Sequence, residues 1–113
     1  MKQPVFSFEA ELLTDAPFEH ITGRLQNEGP ARFKSLRPLR DWATPEPAGE
    51  GLALRWERTL PGAVESGWVA VSPNPKGAHI RIEGRMKGWS AFFFFGWLRW
   101  RTDRLLDRFV EEL

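Results

Sequence analysis

Histidines, cysteines and paired carboxylates are the side chains that most often catalyse reactions or bind metals, and this sequence has few of them. Its only imidazoles are His20 and His79, and it has no cysteine. His20 has no further ligands at a spacing typical of a zinc site, and His79 alternates with Arg81 and Glu83 on a polar strand face. We therefore predict no metal site and interpret His79 as a solvated side chain.

One pair of carboxylates, Glu9 and Glu11, shares a face of a predicted strand. Acid/base catalysis by such a pair requires burial to shift a pKa, whereas both residues fall on the polar side of the pattern. The chain also lacks the H-E-x-x-H, G-x-S-x-G, Walker and G-x-G-x-x-G motifs. We predict no catalytic residue and no cofactor. A reaction directed by the shape of a cavity, as in an aromatase or cyclase, stays open.

Large aromatic residues are the most informative part of the sequence, with six Trp and nine Phe but no Tyr. A bulky core with surface anchors would account for them. A pocket between a sheet and the C-terminal helix would do so as well, because ligand sites are mostly apolar with a few polar groups. The predicted lining is Phe8, Trp56, Arg58, Trp68, Ile82, Phe94 and Leu98. Arg58 either binds a ligand carboxylate or extends to water.

A basic set interleaved with aromatic residues has the spacing of a nucleic-acid-binding strip: Arg32, Phe33, Lys34, Arg37, Arg40 and Trp42. The same spacing is common on solvated loops, and the net charge is only +1. We predict no nucleic-acid partner.

Composition bounds the class of protein. A chain of 113 residues, 42% hydrophobic and 27% charged, is typical of one globular domain, which we place at 1–113. The absence of cysteine allows a reducing compartment. The N-terminus lacks the apolar core of a signal peptide, and no apolar stretch reaches the roughly 20 residues of a membrane span. We expect a soluble, cytoplasmic protein.

Strands are predicted wherever apolar and polar residues alternate, at 5–12, 52–60, 64–71 and 78–87. The turns at Pro61-Gly62 and 72–77 would connect the last three strands as a meander. The residues expected to point inward are Phe8, Leu54, Trp56, Trp68, Ile80 and Ile82. A strand at the sheet edge is also possible at 37–43, within an otherwise loop-like stretch from 31 to 51.

Helices are predicted at two places. Asp15 caps the first, which begins around Pro17, buries residues at spacings of three and four, and ends at 27–30. The second begins near Ser90, with an apolar stripe of Phe94, Leu98, Thr102, Leu105, Phe109 and Leu113. Its first half is apolar nearly all round, since 92–95 are consecutive Phe residues. Alternatively, that run starts as a strand and the helix begins at Gly96.

The order of elements resembles that of the START-like superfamily, also called SRPBCC or polyketide cyclase/dehydrase-like proteins. The residues that carry the resemblance are Asp15-Ala16-Pro17-Phe18-Glu19 at the start of the first helix, the strand at 52–58 and the helix ending at 105–113. The resemblance covers nearly the whole chain. It implies an α+β fold in which a curved antiparallel sheet packs against a long C-terminal helix, with a cavity for hydrophobic molecules and no invariant catalytic residue. This chain has fewer strands than the family, so we expect a reduced helix-grip fold.

Two classes of function stay open. The first is binding of a small hydrophobic ligand, of lipid, polyketide or aromatic type, in the cavity under the C-terminal helix. The second is a non-catalytic interaction module whose exposed aromatic residues dock a protein partner or a membrane surface.

Consecutive helical side chains point about 100° apart, so one sheet face cannot cover the whole Phe run. We therefore also expect a homodimer through Phe93 and Trp97.

Overall fold

The protein combines a five-stranded antiparallel sheet with two α-helices, as a computed structural model that describes residues 5–36, 39 and 42–113 shows. The elements are β1 (Val5–Thr14), α1 (Phe18–Asn27), a 3-10 turn (Pro30–Arg32), β2 (Glu46–Ala48), β3 (Gly51–Leu60), β4 (Ala63–Asn74), β5 (Gly77–Lys87) and α2 (Ala91–Glu111). The strand order is β1-β5-β4-β3-β2. The predicted α+β class, the antiparallel sheet and the C-terminal helix are confirmed.

The meander β3-β4-β5 has the predicted connections with one difference. Leu60 pairs with Ala63 across Pro61-Gly62, which confirms the first turn. Strand β4 continues to Asn74, which pairs with Gly77, so the second turn contains only Pro75 and Lys76. The composition of 72–77 therefore predicted a turn that is too long, because the backbone of Ser72 and Pro73 still pairs with β5.

The buried side chains of the sheet lie on one face, here called the inner face. Phe8, Leu54, Trp56, Ile80 and Ile82 are all at most 6% exposed, as their alternation predicts. Both helices cover this face: α1 packs against β4, and α2 packs against β1 and β5.

Trp68 is the exception, and its predicted inward orientation is wrong. It pairs with Arg55 on one side and Glu83 on the other, which both belong to the opposite, outer face. Its neighbour Val69 is buried on the inner face instead, together with Val71. The aliphatic residues therefore decide which side of β4 is buried.

A pair of glycines makes room for the largest rings of the inner face. Gly67 and Gly84 are paired across β4 and β5. A Cβ atom at Gly67 would lie 2.6 Å from Cη2 of Trp56, and one at Gly84 would lie 2.8 Å from Cε2 of Phe8. Both rings therefore lie directly on glycine backbone, with their centroids 6.4 Å apart.

Helix α1 begins as predicted but is capped differently. Its N-cap residue is Pro17, and no side chain caps it, so the predicted role of Asp15 is wrong. Instead, the Thr14 hydroxyl accepts a hydrogen bond from the amide of Ala16 at 3.2 Å. Ile21 and Leu25 are fully buried, as their spacing predicts.

Between α1 and β3, the edge strand lies later in the chain than predicted. Most of the predicted strand at 37–43 lies outside the described residues. The observed strand is β2, which pairs with the first residues of β3 and contains Pro47. Proline is tolerated there because β2 is the last strand of the sheet order and needs no second partner.

Helix α2 begins at Ala91, so the Phe run is helical and the alternative start at Gly96 is wrong. Its predicted stripe faces the sheet: Leu98, Thr102, Leu105 and Phe109 are buried. Two hydrogen bonds hold its start to the β3–β4 turn, since the Ser90 hydroxyl donates to the Pro61 carbonyl at 2.5 Å and the Ser90 amide to that of Gly62 at 3.4 Å.

Candidate functional site

The predicted pocket residues, except Trp68, meet at the interface between the sheet and α2. Phe8, Trp56, Ile82 and Leu98 are buried there. Phe94 is partly buried against the same cluster, and Arg58 is half-buried at the end of the row that begins with Leu54 and Trp56. Trp68 lies on the other side of the sheet and does not contribute.

A buried ion pair, which the sequence analysis missed, links α2 to this interface. Glu65 of β4 is fully buried, and both its carboxylate oxygens accept hydrogen bonds from Arg101 of α2, at 3.0 Å to Oε1 and 2.5 Å to Oε2. The signal for Glu65 was present: once Val69 and Val71 define the inner face, position 65 falls on it too. Glu65 was missed because the expectation that Trp68 points inward places position 65 on the outer face.

Aromatic rings surround the guanidinium group of Arg101. Its Cζ atom lies 5.6 Å from the centroid of the Phe8 ring and 5.1 Å from that of Trp97. Arg58 lies on the same ring of Trp97, at 5.9 Å. Trp97 is itself 41% exposed, and its ring contacts both guanidinium groups. Contacts between cations and aromatic faces are favourable, the more so when the cation is desolvated.

Two buried N–H groups at this interface have no hydrogen-bond partner among the described residues: Nε1 of Trp56 and Nε of Arg101. Both side chains flank the ring of Phe8. A buried donor without an acceptor costs about 1–3 kcal/mol, so native proteins rarely leave one unpaired. The interface therefore offers donors to an acceptor atom that the described residues do not supply.

The residues considered for acid/base or metal chemistry form no such site. Glu11 lies 3.0 Å from His79, and Glu9 lies 3.3 Å from Arg81, so each carboxylate has a cationic or potentially cationic neighbour across the strand pair. Among the described residues, no three His, Cys, Asp or Glu side chains come together as metal ligands.

A second feature of the interface region is a group of exposed aromatic residues on α2, here called the aromatic face. Its members are Phe92, Phe93, Trp97 and Trp100, which are 69%, 73%, 41% and 59% exposed. The rings of Phe92 and Phe93 contact each other with centroids 5.6 Å apart, and the guanidinium group of Arg104 lies 5.1 Å from Trp100. The predicted dimer residues Phe93 and Trp97 both belong to this face.

The outer face of the sheet carries an open groove of about 1110 Å³ around Trp68. Its walls are polar or charged side chains that alternate with the buried ones, namely Ser7, Glu9, Arg55, Glu57, Ser66, Glu83 and Arg85. The groove lies on the side of the sheet opposite α2, and its mixed charges do not resemble a pocket for an apolar ligand.

Comparisons with known proteins bear on the fold. The chain is similar to the Mll3558 protein of Rhizobium loti, with a TM-score of 0.58, 10% identity and full coverage of both chains. It is also similar to an uncharacterized protein of Rhizobium leguminosarum, with a TM-score of 0.57, 9% identity and coverage of 98% of this chain and 97% of that one. No family model and no curated protein matches the chain. The similarity shows the fold alone.

Proposed function

We propose that the protein binds a small, mainly apolar molecule with a hydrogen-bond-accepting oxygen between the inner face of the sheet and the first half of α2. The observation that carries this proposal is the pair of buried, unpartnered donors beside Phe8: Nε1 of Trp56 and Nε of Arg101. A carbonyl or carboxylate oxygen of a ligand would accept these hydrogen bonds and remove the cost of leaving the donors unpaired.

The surroundings of the donors support an apolar body for the ligand. Phe8, Trp56, Ile82, Phe94 and Leu98 supply aromatic and aliphatic walls on both sides of the interface. Arg58 and Arg101 would supply the polar end beside Trp97, and for Arg58 this is one of the two roles that the sequence left open. Apolar walls with a few convergent polar groups are typical of small-molecule sites.

The arrangement of elements also supports the proposal. Strand β1 lies beside β5, the strand order runs β1-β5-β4-β3-β2, and the C-terminal helix lies on the face that these strands share. An antiparallel sheet packed against a C-terminal helix is what the resemblance to the START-like superfamily implies, and in that superfamily ligands bind between such a sheet and helix. The ligand class that we propose is therefore a lipid, polyketide or aromatic compound.

Calorimetric titration with three naphthalene derivatives tests both halves of the proposal. We expect saturable binding at one ligand per chain for 2-naphthoate and 2-acetonaphthone, about tenfold or more tighter than for 2-methylnaphthalene, which has the same rings but no acceptor. Equal affinities for all three compounds would show that the donors play no part. No saturable binding of any of them, with the fold intact, would contradict the proposed site.

Trp56→Phe is the sharpest variant, because it removes the indole N–H and keeps an aromatic ring, although a smaller one. We expect it to weaken binding of 2-acetonaphthone about five- to tenfold while leaving that of 2-methylnaphthalene within about twofold. Trp100→Phe is the matched control, since Trp100 is exposed on the far side of α2, and it should change neither affinity. A similar loss for both compounds in Trp56→Phe would indicate lost packing rather than a lost donor.

A further inference from the structure

Ligand binding at the inner face leaves two surfaces unused, the aromatic face of α2 and the groove on the outer face of the sheet. A homodimer through Phe93 and Trp97 of the aromatic face stays a prediction, which the sedimentation velocity of the protein tests. In the part of the chain that the structure describes, no helix is long and apolar enough to cross a membrane. The groove on the outer face carries side chains that indicate a class of ligand.

Trp68 is the largest side chain on the outer side of this groove. In the strand register it lies between Arg55 of β3 and Glu83 of β5. Its ring is half-buried, and it forms no hydrogen bond and no contact with another ring or a cation among the described residues. The indole group of Trp68 is therefore available to a ligand that enters the groove.

The charged side chains beside Trp68 alternate in sign on both of its flanks. On β3, Arg55 is followed by Glu57 on the outer face, and on β5, Glu83 is followed by Arg85. Because the order of signs is opposite on the two strands, each flank of Trp68 carries one carboxylate and one guanidinium group. The groove thus presents hydrogen-bond acceptors and donors on both sides of the ring.

Most of these charged groups have no partner within the described part of the chain. Glu9 and Glu83 share Arg81 as their ion-pair partner. The other three charged side chains that line the groove form no ion pair and no side-chain hydrogen bond with any described residue. Counted together with Arg81, the groove carries as many positive as negative charges.

We propose that the groove binds a neutral oligosaccharide, with one sugar ring stacked on Trp68 and its hydroxyl groups hydrogen-bonded to the charged side chains on both flanks. A hydroxyl group donates and accepts, so it matches carboxylates, which only accept, and guanidinium groups, which only donate. The C–H groups on the face of a sugar ring suit the negative face of an aromatic ring. A groove of about 1110 Å³ admits more than one sugar unit.

The balance of charges is what selects a neutral polar ligand. An anion above Trp68 would meet a carboxylate on each flank, and a cation would meet a guanidinium group, and such like-charge contacts are costly. Single-stranded nucleic acid also stacks on aromatic side chains, but it requires a groove of positive charge. An apolar ligand would desolvate the charged groups without pairing them.

NMR titration of the intact protein with cellopentaose, maltopentaose and chitopentaose tests the proposal. We expect saturable binding of at least one of these neutral sugars at one molecule per chain, with shifts of the Trp68 indole N–H and of the Gly67 and Gly84 amides in the groove. Pentagalacturonate and a thymidine pentanucleotide, which are anionic, should bind about tenfold or more weakly. No saturable binding of the neutral sugars, or tighter binding of an anionic oligomer, would overturn the proposal.

Removal of the stacking ring tests the position of the sugar. Trp68→Ala should weaken binding of the tightest neutral sugar about tenfold or more, as loss of a stacked aromatic ring does for nucleic-acid bases. Trp100→Ala is the matched control, because Trp100 is 59% exposed on the opposite side of the sheet, and it should have no effect. Equal losses in the two variants, or competition between the sugar and 2-acetonaphthone, would place the sugar elsewhere and overturn the proposal.

A change of one charge tests selectivity and keeps the fold, because Glu57 is exposed. Glu57→Gln gives the groove an excess of positive charge. We expect it to weaken binding of the neutral sugar about threefold or more and to strengthen that of pentagalacturonate by a similar factor. Glu111→Gln, on an exposed residue of α2, should change neither affinity. If both variants had the same effects, the charges of the groove would not select the ligand.

Discussion

Gly67 is the residue whose missing side chain matters most for the inner face. A Cβ atom there would meet both the ring of Trp56, at 2.6 Å, and the backbone of Gly84, at 2.7 Å, and the backbone cannot move aside. We expect Gly67→Ala to lower the free energy of unfolding by about 1–3 kcal/mol, as overpacking of cores does. Urea denaturation of the variant measures this.

Gly96→Ala is the control of opposite sign. Gly96 is exposed within α2, and a Cβ atom there would meet nothing within 4 Å. Alanine should therefore stabilise the protein by about 0.4–1 kcal/mol, because it restricts the unfolded chain without straining the helix. If both variants were destabilised alike, close packing at the glycine pair would not be the reason for the loss at Gly67.

At the scale of elements, the ion pair between Glu65 and Arg101 connects β4 to α2. Removing one partner leaves a buried charge without compensation, so Arg101→Met should destabilise the protein by about 3–5 kcal/mol. Combining it with Glu65→Leu removes both charges, and the double variant should lie within about 1 kcal/mol of the wild type.

Arg81→Met provides the control for this comparison. Arg81 forms ion pairs with Glu9 and Glu83 on the outer face, where its side chain is 44% exposed. Such a pair contributes under about 1 kcal/mol because water screens it. If Arg101→Met combined with Glu65→Leu were as unstable as Arg101→Met alone, packing of the Arg101 side chain, rather than its charge, would hold α2 to the sheet.

The elements themselves were predictable where periodicity was unambiguous. Strand β5 and the second half of α2 agree with their patterns because their apolar residues recur at the strand or helix period over their whole length. Strand β4 was located correctly, but its inner face was assigned from one large residue, Trp68, against the smaller Val69 and Val71. A half-buried aromatic residue such as Trp68 does not show which face of a strand is buried when a row of aliphatic residues indicates the other face.

The candidate site was predictable only in its apolar part. Phe8, Trp56, Ile82 and Leu98 follow from alternation and helical spacing. The partners Glu65 and Arg101 are separated by 36 positions, and their pairing depends on which turn of α2 lies over β4. That register follows from tertiary packing, and no local pattern in the sequence encodes it. The same holds for the contact of Gly67 with Trp56.

At the scale of the whole molecule, Glu112 joins the end of the chain to its first third. Its carboxylate accepts hydrogen bonds from the amides of Lys34 and Ser35, at 2.8 and 3.1 Å, and from the Ser35 hydroxyl at 2.5 Å. Arg24 of α1 donates a hydrogen bond to the Glu112 carbonyl. The last turn of α2 is thereby held against α1 and the segment that follows it.

These contacts predict a pH-dependent contribution to stability. Burial is the largest single effect and raises the pKa of Glu112, but the hydrogen bonds from Ser35 and Lys34 and the charge of Lys34 together outweigh it, so the pKa lies below its ordinary value. A carboxylate with a lowered folded-state pKa stabilises the fold above its unfolded pKa, about 4.3, and loses that effect as pH falls through the folded value. Glu112→Gln should therefore cost under about 1 kcal/mol at pH 7.

Urea denaturation across pH 3–7 checks this expectation. The difference in stability between wild type and Glu112→Gln should shrink as pH falls below the unfolded pKa. Glu111→Gln is the control, because Glu111 is exposed and adjacent, and it should show no such trend. A constant difference across this range would mean that the carboxylate charge is not what joins α2 to the first third of the chain.

The strand order has a consequence for the entropy of the chain. Strands β4 and β5 pair through residues only three positions apart, Asn74 and Gly77, whereas β1 and β5 pair through Thr14 and Ala78, which are 64 positions apart. Loop-closure entropy grows with the logarithm of loop length, so joining β1 to the sheet costs roughly 2–3 kcal/mol more than closing the β4–β5 hairpin. Because α2 follows β5 and packs against β1, burial beneath that helix offsets the cost of closing the longest loop in the sheet.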